Sequence, residues 1–276
     1  QPETPRIIVN MCRAMFFASS AALIINNYFK IRMRTLVIGD IHGGFRALKQ
    51  ILEKAEVVAT DKLIFLGDYV DGWSQSPQVL DFLMDLGSKQ NCIFIRGNHD
   101  ELLLDWLLGN FENFDESMWF KHGGEATVVA YSNVSEVTKK KHIEFLKSLQ
   151  NYYLDEQNRL FIHAGFTNMN GVSYEYFPKL FYWDRTLWES ALALNENLDK
   201  NSYFYPKRFK LYNEIYIGHT PVTRIEQTIP IKKACIWNVD TGAAFKGSLT
   251  IMDVETKEFW QSEPLNHLYP MEKGRN

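Results

Sequence analysis

Cysteine is scarce and scattered in this chain. Cys12, Cys92 and Cys235 form neither a CxxC pair nor a cluster with histidine, which argues against a disulfide framework or a zinc finger and fits a reducing cytoplasm. An excess of charge of one sign is also missing. With 30 basic against 33 acidic residues, nothing drives non-specific attachment to nucleic acid, so a phosphate-bearing ligand has to be held by local contacts. No apolar run is long enough to span a membrane, and no membrane partner is expected. The candidate, Phe16 to Phe29, is broken by Asn26 and Asn27; it follows Arg13 as a short signal peptide would, but lacks a small-residue cleavage site. Because Met33 opens a strand-like stretch, residues 1–32 are expected to be a leader or appended segment outside the fold. No repeat, linker or low-complexity tract divides the rest, so residues 33–276 are expected to be one domain. What is abundant is apolar matter: 46% hydrophobic and 14% aromatic residues in a chain of 276 supply a sizeable core.

From Arg34 onward one pattern recurs. A short run rich in Val, Ile, Leu and Phe ends abruptly in Gly with Asp, Asn or His: TLVIGD (35–40), KLIFLGD (62–68), CIFIRGN (92–98), RLFIHAG (159–165) and EIYIGHT (214–220). Runs of this length and β-branched content predict buried strands. Between the first three lie helical patterns. FRALKQILEKA places Phe45, Leu48, Ile51, Leu52 and Ala55 on one face, and PQVLDFLMDL is expected to start with Ser76 as N-cap and Pro77 as first helical residue and to stop at Gly87. Strand, helix, strand at this spacing predicts parallel βαβ units, whose ligands bind beyond the carboxyl ends of the strands. The later stretches 235–242 and 247–254 are expected to be two antiparallel strands joined by a turn, closing a second sheet. The fold class is therefore α/β, two mixed sheets packed as a four-layer sandwich flanked by helices. Helical, aromatic-rich insertions near 100–151 and 174–210 are expected to cap the site.

Every one of those strand ends carries polar chemistry. Asp40 and His42 stand in GDIHG, Asp68 and Asp71 in GDYVDG, Asn98 and His99 in RGNHD, His163 in HAG and His219 in GHTP. Carboxylate, imidazole and amide oxygen together suit Mn, Fe or Zn better than Ca or Mg, which favour all-oxygen shells. Any one fragment alone is more often an ordinary turn; five of them in order on five strand ends are not.

This ordered set resembles the calcineurin-like metallophosphoesterases, within them the phosphoprotein phosphatase branch of bacterial and phage type, whose relatives include symmetrical diadenosine tetraphosphatases. The resemblance runs from about Thr35 to Val254. It implies that Asp40, His42 and His219 hold a first divalent metal, that Asp68 bridges two metals, and that Asn98 and His163 complete the second, with waters filling both shells. Two cations roughly 3.5 to 4 Å apart acidify a water, align it with phosphorus and neutralise phosphoryl oxygens. It implies further that His99 is the general acid for the leaving group and that Asp71 orients its other ring nitrogen.

Phosphate also calls for fixed cations. Arg96, one residue before GNHD, is expected to give a bidentate contact, and Arg185 in WDR is the second candidate. His122, in MWFKHGGEAT, resembles a segment of the tetraphosphatase group and is a candidate for the substrate pocket. Gly72 departs from the branch, which has arginine there in GDxVDRG; one phosphate anchor is expected to be missing, and Gly72→Arg is expected to improve phosphate binding if the pocket has room for the side chain. The leading expectation is a Mn-dependent hydrolase of phosphate monoesters, on phosphoproteins or small molecules. The alternative is a hydrolase of dinucleoside polyphosphates, and a non-catalytic module with the same fold is the third reading.

Overall fold

The computed structural model describes residues 33–112 and 114–275, so the expected leader lies outside them. Among the described residues, ten strands form two five-stranded sheets, ordered β10-β9-β1-β2-β3 and β4-β5-β6-β8-β7. In the first, β1 (Thr35–Ile38), β2 (Lys62–Phe65) and β3 (Cys92–Phe94) run parallel, and β9 (Thr250–Asp253) and β10 (Phe259–Gln261) complete it antiparallel. In the second, β5 (Arg159–Ile162), β6 (Glu214–Ile217) and β8 (Ile236–Asn238) run parallel, edged by antiparallel β4 (Tyr152–Leu154) and β7 (Ile231–Lys233).

Period-two alternation decides which face of each strand meets which layer. Val37, Ile64, Phe161, Tyr216 and Met252 point into the seam between the sheets, where the Phe161 and Tyr216 rings stack at 4.8 Å. Their neighbours Leu36, Ile38, Leu63 and Phe65 face the opposite way, packing in a second core with α1 (Phe45–Lys54) and α2 (Ser76–Lys89). Leu160, Ile162, Ile215 and Ile217 do the same on the outer face of the second sheet, with α7 (Leu180–Trp183) and α8 (Thr186–Ala193). Between these helix pairs the chain makes α3 (Asn98–Leu108), α4 (Glu116–Trp119), α5 (Glu125–Tyr131) and α6 (Glu136–Ser148). This is the sandwich that the sequence pattern predicts.

Two local expectations are corrected. Ser76 lies inside α2, behind Gln75 as its N-cap, and the helix runs through Gly87 to Lys89. Gly87 does not stop the helix because it is a packing residue there: a Cβ would come within 2.8 Å of the Phe94 ring. The two late stretches do not pair with each other. β8 joins β6 in the second sheet while β9 joins β1 in the first, so the chain between them crosses from sheet to sheet beside the site instead of making a hairpin.

Candidate metal centre

The loops after β1, β2, β3, β5 and β6 deliver the predicted polar residues to one place. They fit because the backbone is bent into conformations that most residues avoid: His42, Asp68, Asp71 and His219 all have φ between 50° and 72°. Glycine lets the loops touch. A Cβ on Gly218 would sit 2.0 Å from Asp40 Oδ1, and one on Gly97 would sit 2.2 Å from Asp68 Oδ1. Asp100 ties two loops together by accepting hydrogen bonds from the N–H groups of Asp68, Tyr69 and Gly97, each at 2.8 Å. Burial and the charge of Asp68 push its carboxyl up to about 8.

Asp68 stands at the centre. Its Oδ2 lies 3.5 Å from His42 Nε2 and 3.4 Å from His163 Nε2, while Oδ1 accepts from the His99 N–H at 2.9 Å. Both imidazoles are oriented from behind. His163 Nδ1 donates to Leu66 O at 2.9 Å, and His42 Nδ1 faces the Val70 and Asp71 carbonyls at 3.1 Å, so in each ring Nε2 is the nitrogen turned to the centre. Burial works to raise the Asp68 carboxyl, but His163, His99 and His42 outweigh it and hold the group well below the usual carboxylate range. His163 is the counterpart: burial lowers it, yet the charges of Asp68 and Asp40 bring it up to about 10. Burial keeps His42 and His219 neutral, well below the ordinary imidazole value.

Two groups of ligating atoms each lie within 4.8 Å of one another: His42, Asp68 and His99, and Asp68, His163 and His219. Asp68 is common to both. The donor set of carboxylate, amide and neutral imidazole fits divalent cations, and buried Asp40 Oδ1 and His219 Nε2 have no hydrogen-bond partner among the described residues. The ring of His219 stands with His163 and Asn98, its Nδ1 2.9 Å from Asn98 Oδ1, and its backbone N–H donates to Asp40 Oδ2 at 2.9 Å. The cause is topological: β5 and β6 are neighbours in the second sheet, so their loops carry the two histidines side by side, ring centroids 5.1 Å apart.

His99 and Asp71 meet as the resemblance implies, Nδ1 to Oδ2 at 2.7 Å, which leaves His99 Nε2 facing a cavity of about 390 Å³. Asp68, Asn98 and His219 line that cavity too, joined by Trp119 and His122 from the first insertion and by Trp183 and Arg185 from the second. His122 and Arg185, two of the residues singled out in the sequence, thus line the cavity. Arg96 does not. It pairs with Glu101 and donates to the carbonyls of Leu146 and Lys147 at the end of α6, so its guanidinium is turned away from the cavity. The sequence reading missed Arg224, Phe245 and Arg275, which also line the cavity. Arg224 carried a faint signal, following the GHTP turn on a strand end; Arg275 carried none, being distant in sequence from every motif.

Among the described residues no helix is long and apolar enough to cross a membrane. Comparison with known proteins agrees with the geometry. The calcineurin-like phosphoesterase family matches residues 33–234. A bis(5'-nucleosyl)-tetraphosphatase PrpE, asymmetrical, from Anoxybacillus flavithermus is 28% identical over 258 residues, 87% of this chain and 97% of that protein. Its namesake from Bacillus mycoides is 27% identical over 242 residues, 79% of this chain and 89% of that protein. In three dimensions the chain resembles a candidate diadenosine tetraphosphatase, with a TM-score of 0.56 at 18% identity, covering 84% of this chain and 94% of that one. It also resembles a serine/threonine phosphatase from Saccharomyces cerevisiae, with a TM-score of 0.57 at 14% identity, covering 85% and 81%. The order of motifs, the sandwich and the shared Asp68 all lead to one assignment: the chain belongs to the calcineurin-like phosphoesterase family.

Proposed function

We propose that this phosphoesterase hydrolyses the phosphoanhydride bridge of a dinucleoside polyphosphate. The observation that carries the reading is the composition of the cavity beside His99: Trp183 and Phe245 line it with aromatic surface for a base, and Arg185 and Arg224 offer guanidiniums for a chain of phosphates. The curated relatives named asymmetrical tetraphosphatases support it, so the alternative held at the level of sequence becomes the leading reading. Asp40, His42 and Asp68 would hold one divalent cation, and Asp68, Asn98, His163 and His219 a second, with Mn suited to this mixed nitrogen and oxygen set. When bound, such a pair supplies an activated water and neutralises phosphoryl charge. The protein's own groups do the rest. His99 Nε2 delivers a proton to the departing oxygen, Asp71 fixes the ring through Nδ1–H, and Arg185 and Arg224 orient the polyphosphate.

The test is a product assay on diadenosine tetraphosphate with the Mn-loaded protein. Unequal nucleotides, a triphosphate and a monophosphate, are the expected products. Two equal diphosphates would make the cleavage symmetrical, and an intact substrate beside rapid p-nitrophenyl phosphate turnover would overturn the reading. A phosphomonoesterase remains the second reading on one observation, the His99–Asp71 pair, because a proton donor helps an alkoxide leaving group more than a phosphate. A phosphoserine peptide in the same assay decides between them.

A further inference from the structure

The branch's arginine is absent at Gly72, yet the side chain of another arginine, Arg275, lies beside it. Gly72 and Gly123 face each other, the N–H of one donating to the carbonyl of the other at 3.0 Å. Their φ values are +104° and +100°, and a Cβ on either would come within 3.3 Å or 2.9 Å of the Cγ of Arg275. Two glycines thus form a slot, and the stem of Arg275 fills it. The room on which Gly72→Arg depends is therefore already taken, and the backbone there is one that L side chains rarely adopt.

The segment 272–275 is fastened on both sides of that slot. Glu272 accepts hydrogen bonds from Ser74 N–H at 2.9 Å and Ser74 Oγ–H at 2.8 Å, and Arg275 N–H donates to Ala244 O at 2.9 Å. The guanidinium lies 5.3 Å from the centre of the Phe245 ring, its Nη1 3.5 Å from His42 Nε2. Among the described residues it has no carboxylate partner, unlike Arg34, Arg96 and Arg159, each of which is ion-paired. A cation held in place by packing, lining the cavity and without an anion of its own, is a ready receptor for one.

We propose that Arg275 is a phosphate-binding residue of this site, supplied from a segment remote in sequence to the position that Gly72 leaves open. The inference rests on the phosphoesterase reading of the centre but not on which phosphate ester or anhydride is cleaved.

The experiment is calorimetric titration of the Mn-loaded full chain with inorganic phosphate, with metal content measured on the same samples. Arg275→Ala is expected to keep its metal and to bind phosphate about tenfold to a hundredfold more weakly, the loss associated with one charge-assisted contact. Arg275→Lys, which keeps the charge and most of the packing but not the fork, is expected to fall between the two. Added guanidinium ion is expected to recover part of the binding in the alanine variant, which a merely structural role would not allow. Equal phosphate affinity in wild type and Arg275→Ala would overturn this inference alone. Tighter binding in the variant would also overturn it, showing that the segment obstructs the site. A metal-loaded wild type that neither binds phosphate nor hydrolyses any ester or anhydride would sink the phosphoesterase reading, and this inference with it.

Discussion

Trp119 donates its indole N–H to Asp71 Oδ2 at 2.6 Å. The same oxygen faces His99 Nδ1 at 2.7 Å, so one carboxylate oxygen holds the proposed proton donor and a tryptophan from the first insertion together. Trp119 is therefore a positioning residue. Trp119→Phe keeps most of the buried ring and removes only the donor; kcat is expected to fall roughly tenfold, in line with losing a buried hydrogen bond to a charged group. The Asp71→Asn and Trp119→Phe losses are expected to be markedly non-additive, because both act through one ring. Additive losses in the double variant would show that Trp119 matters only for packing.

His99→Asn is expected to retain its metal and lose about two to four orders of magnitude in rate on alkyl phosphates, the range for removing a general acid. The loss is expected to shrink on p-nitrophenyl phosphate and on diadenosine tetraphosphate, whose leaving groups need less help. Equal losses on all three substrates would remove the proton from the mechanism.

Asp68→Asn is expected to be the most damaging ligand substitution, since Oδ2 stands nearly equidistant from His42 and His163. Metal analysis is the measure: an Asn variant holding as much Mn as wild type, with the same rate, would show that the carboxylate is not shared. Activity itself is expected to vanish with a chelator and return with Mn.

The metal-free protein is expected to lose stability as pH rises from 6.5 to 8. In that window the folded state keeps protons on Asp100, pushed up to about 8, and on His163, pushed up to about 10, which the unfolded chain has shed. Fewer protons on the unfolded state mean that stability falls with pH, by on the order of 1 kcal/mol per pH unit for each proton fully retained. His42 and His219, whose folded values are lowered, act in the opposite sense only below their ordinary value of 6.5. Melting temperatures of the chelated protein at the two pH values check this. Mn is expected to narrow the difference, because metal ligands must be deprotonated; a chelated protein more stable at pH 8 would refute it.

The two arginines picked out from sequence are expected to behave in reverse order. Arg96→Ala breaks the pairing with Glu101 and the bonds to Leu146 and Lys147, so it is expected to lower the melting temperature with little change in KM. Arg185→Ala is expected to raise KM on polyphosphates and leave stability unchanged. Steady-state kinetics and thermal melts of the pair separate the two roles.

The strands, the sandwich and the ring of polar residues could be read from the chain because each is a local pattern. A buried strand announces itself as a β-branched run, and the residue that ends it is the one the loop delivers to the site. Pairings between distant elements left no such trace. The sequence groups His219 with Asp40 and His42, whereas its ring stands beside His163, because the neighbour of β6 is fixed by sheet order, which no single run encodes. Arg96 misled because adjacency to GNHD says where a backbone is and not where a long side chain turns. Arg275 was invisible for the complementary reason: the slot it fills is recorded only as two glycines, far apart and far from the arginine.

The seam between the sheets has a consequence for how the centre comes into being. Asp40, His42, Asp68 and Asn98 ride on the first sheet and His163 and His219 on the second, while the seam packs Val37, Ile64 and Met252 of the first against Phe161 and Tyr216 of the second. Neither half carries all of the proposed ligands, so a cation held by residues of both would act as a fastener across the sandwich. By linkage, whatever loosens the apolar seam would weaken the grip on such a cation, and whatever tightens that grip would resist the sheets coming apart. The hydrophobic interior and the proposed chemistry are in this sense one equilibrium seen from two sides.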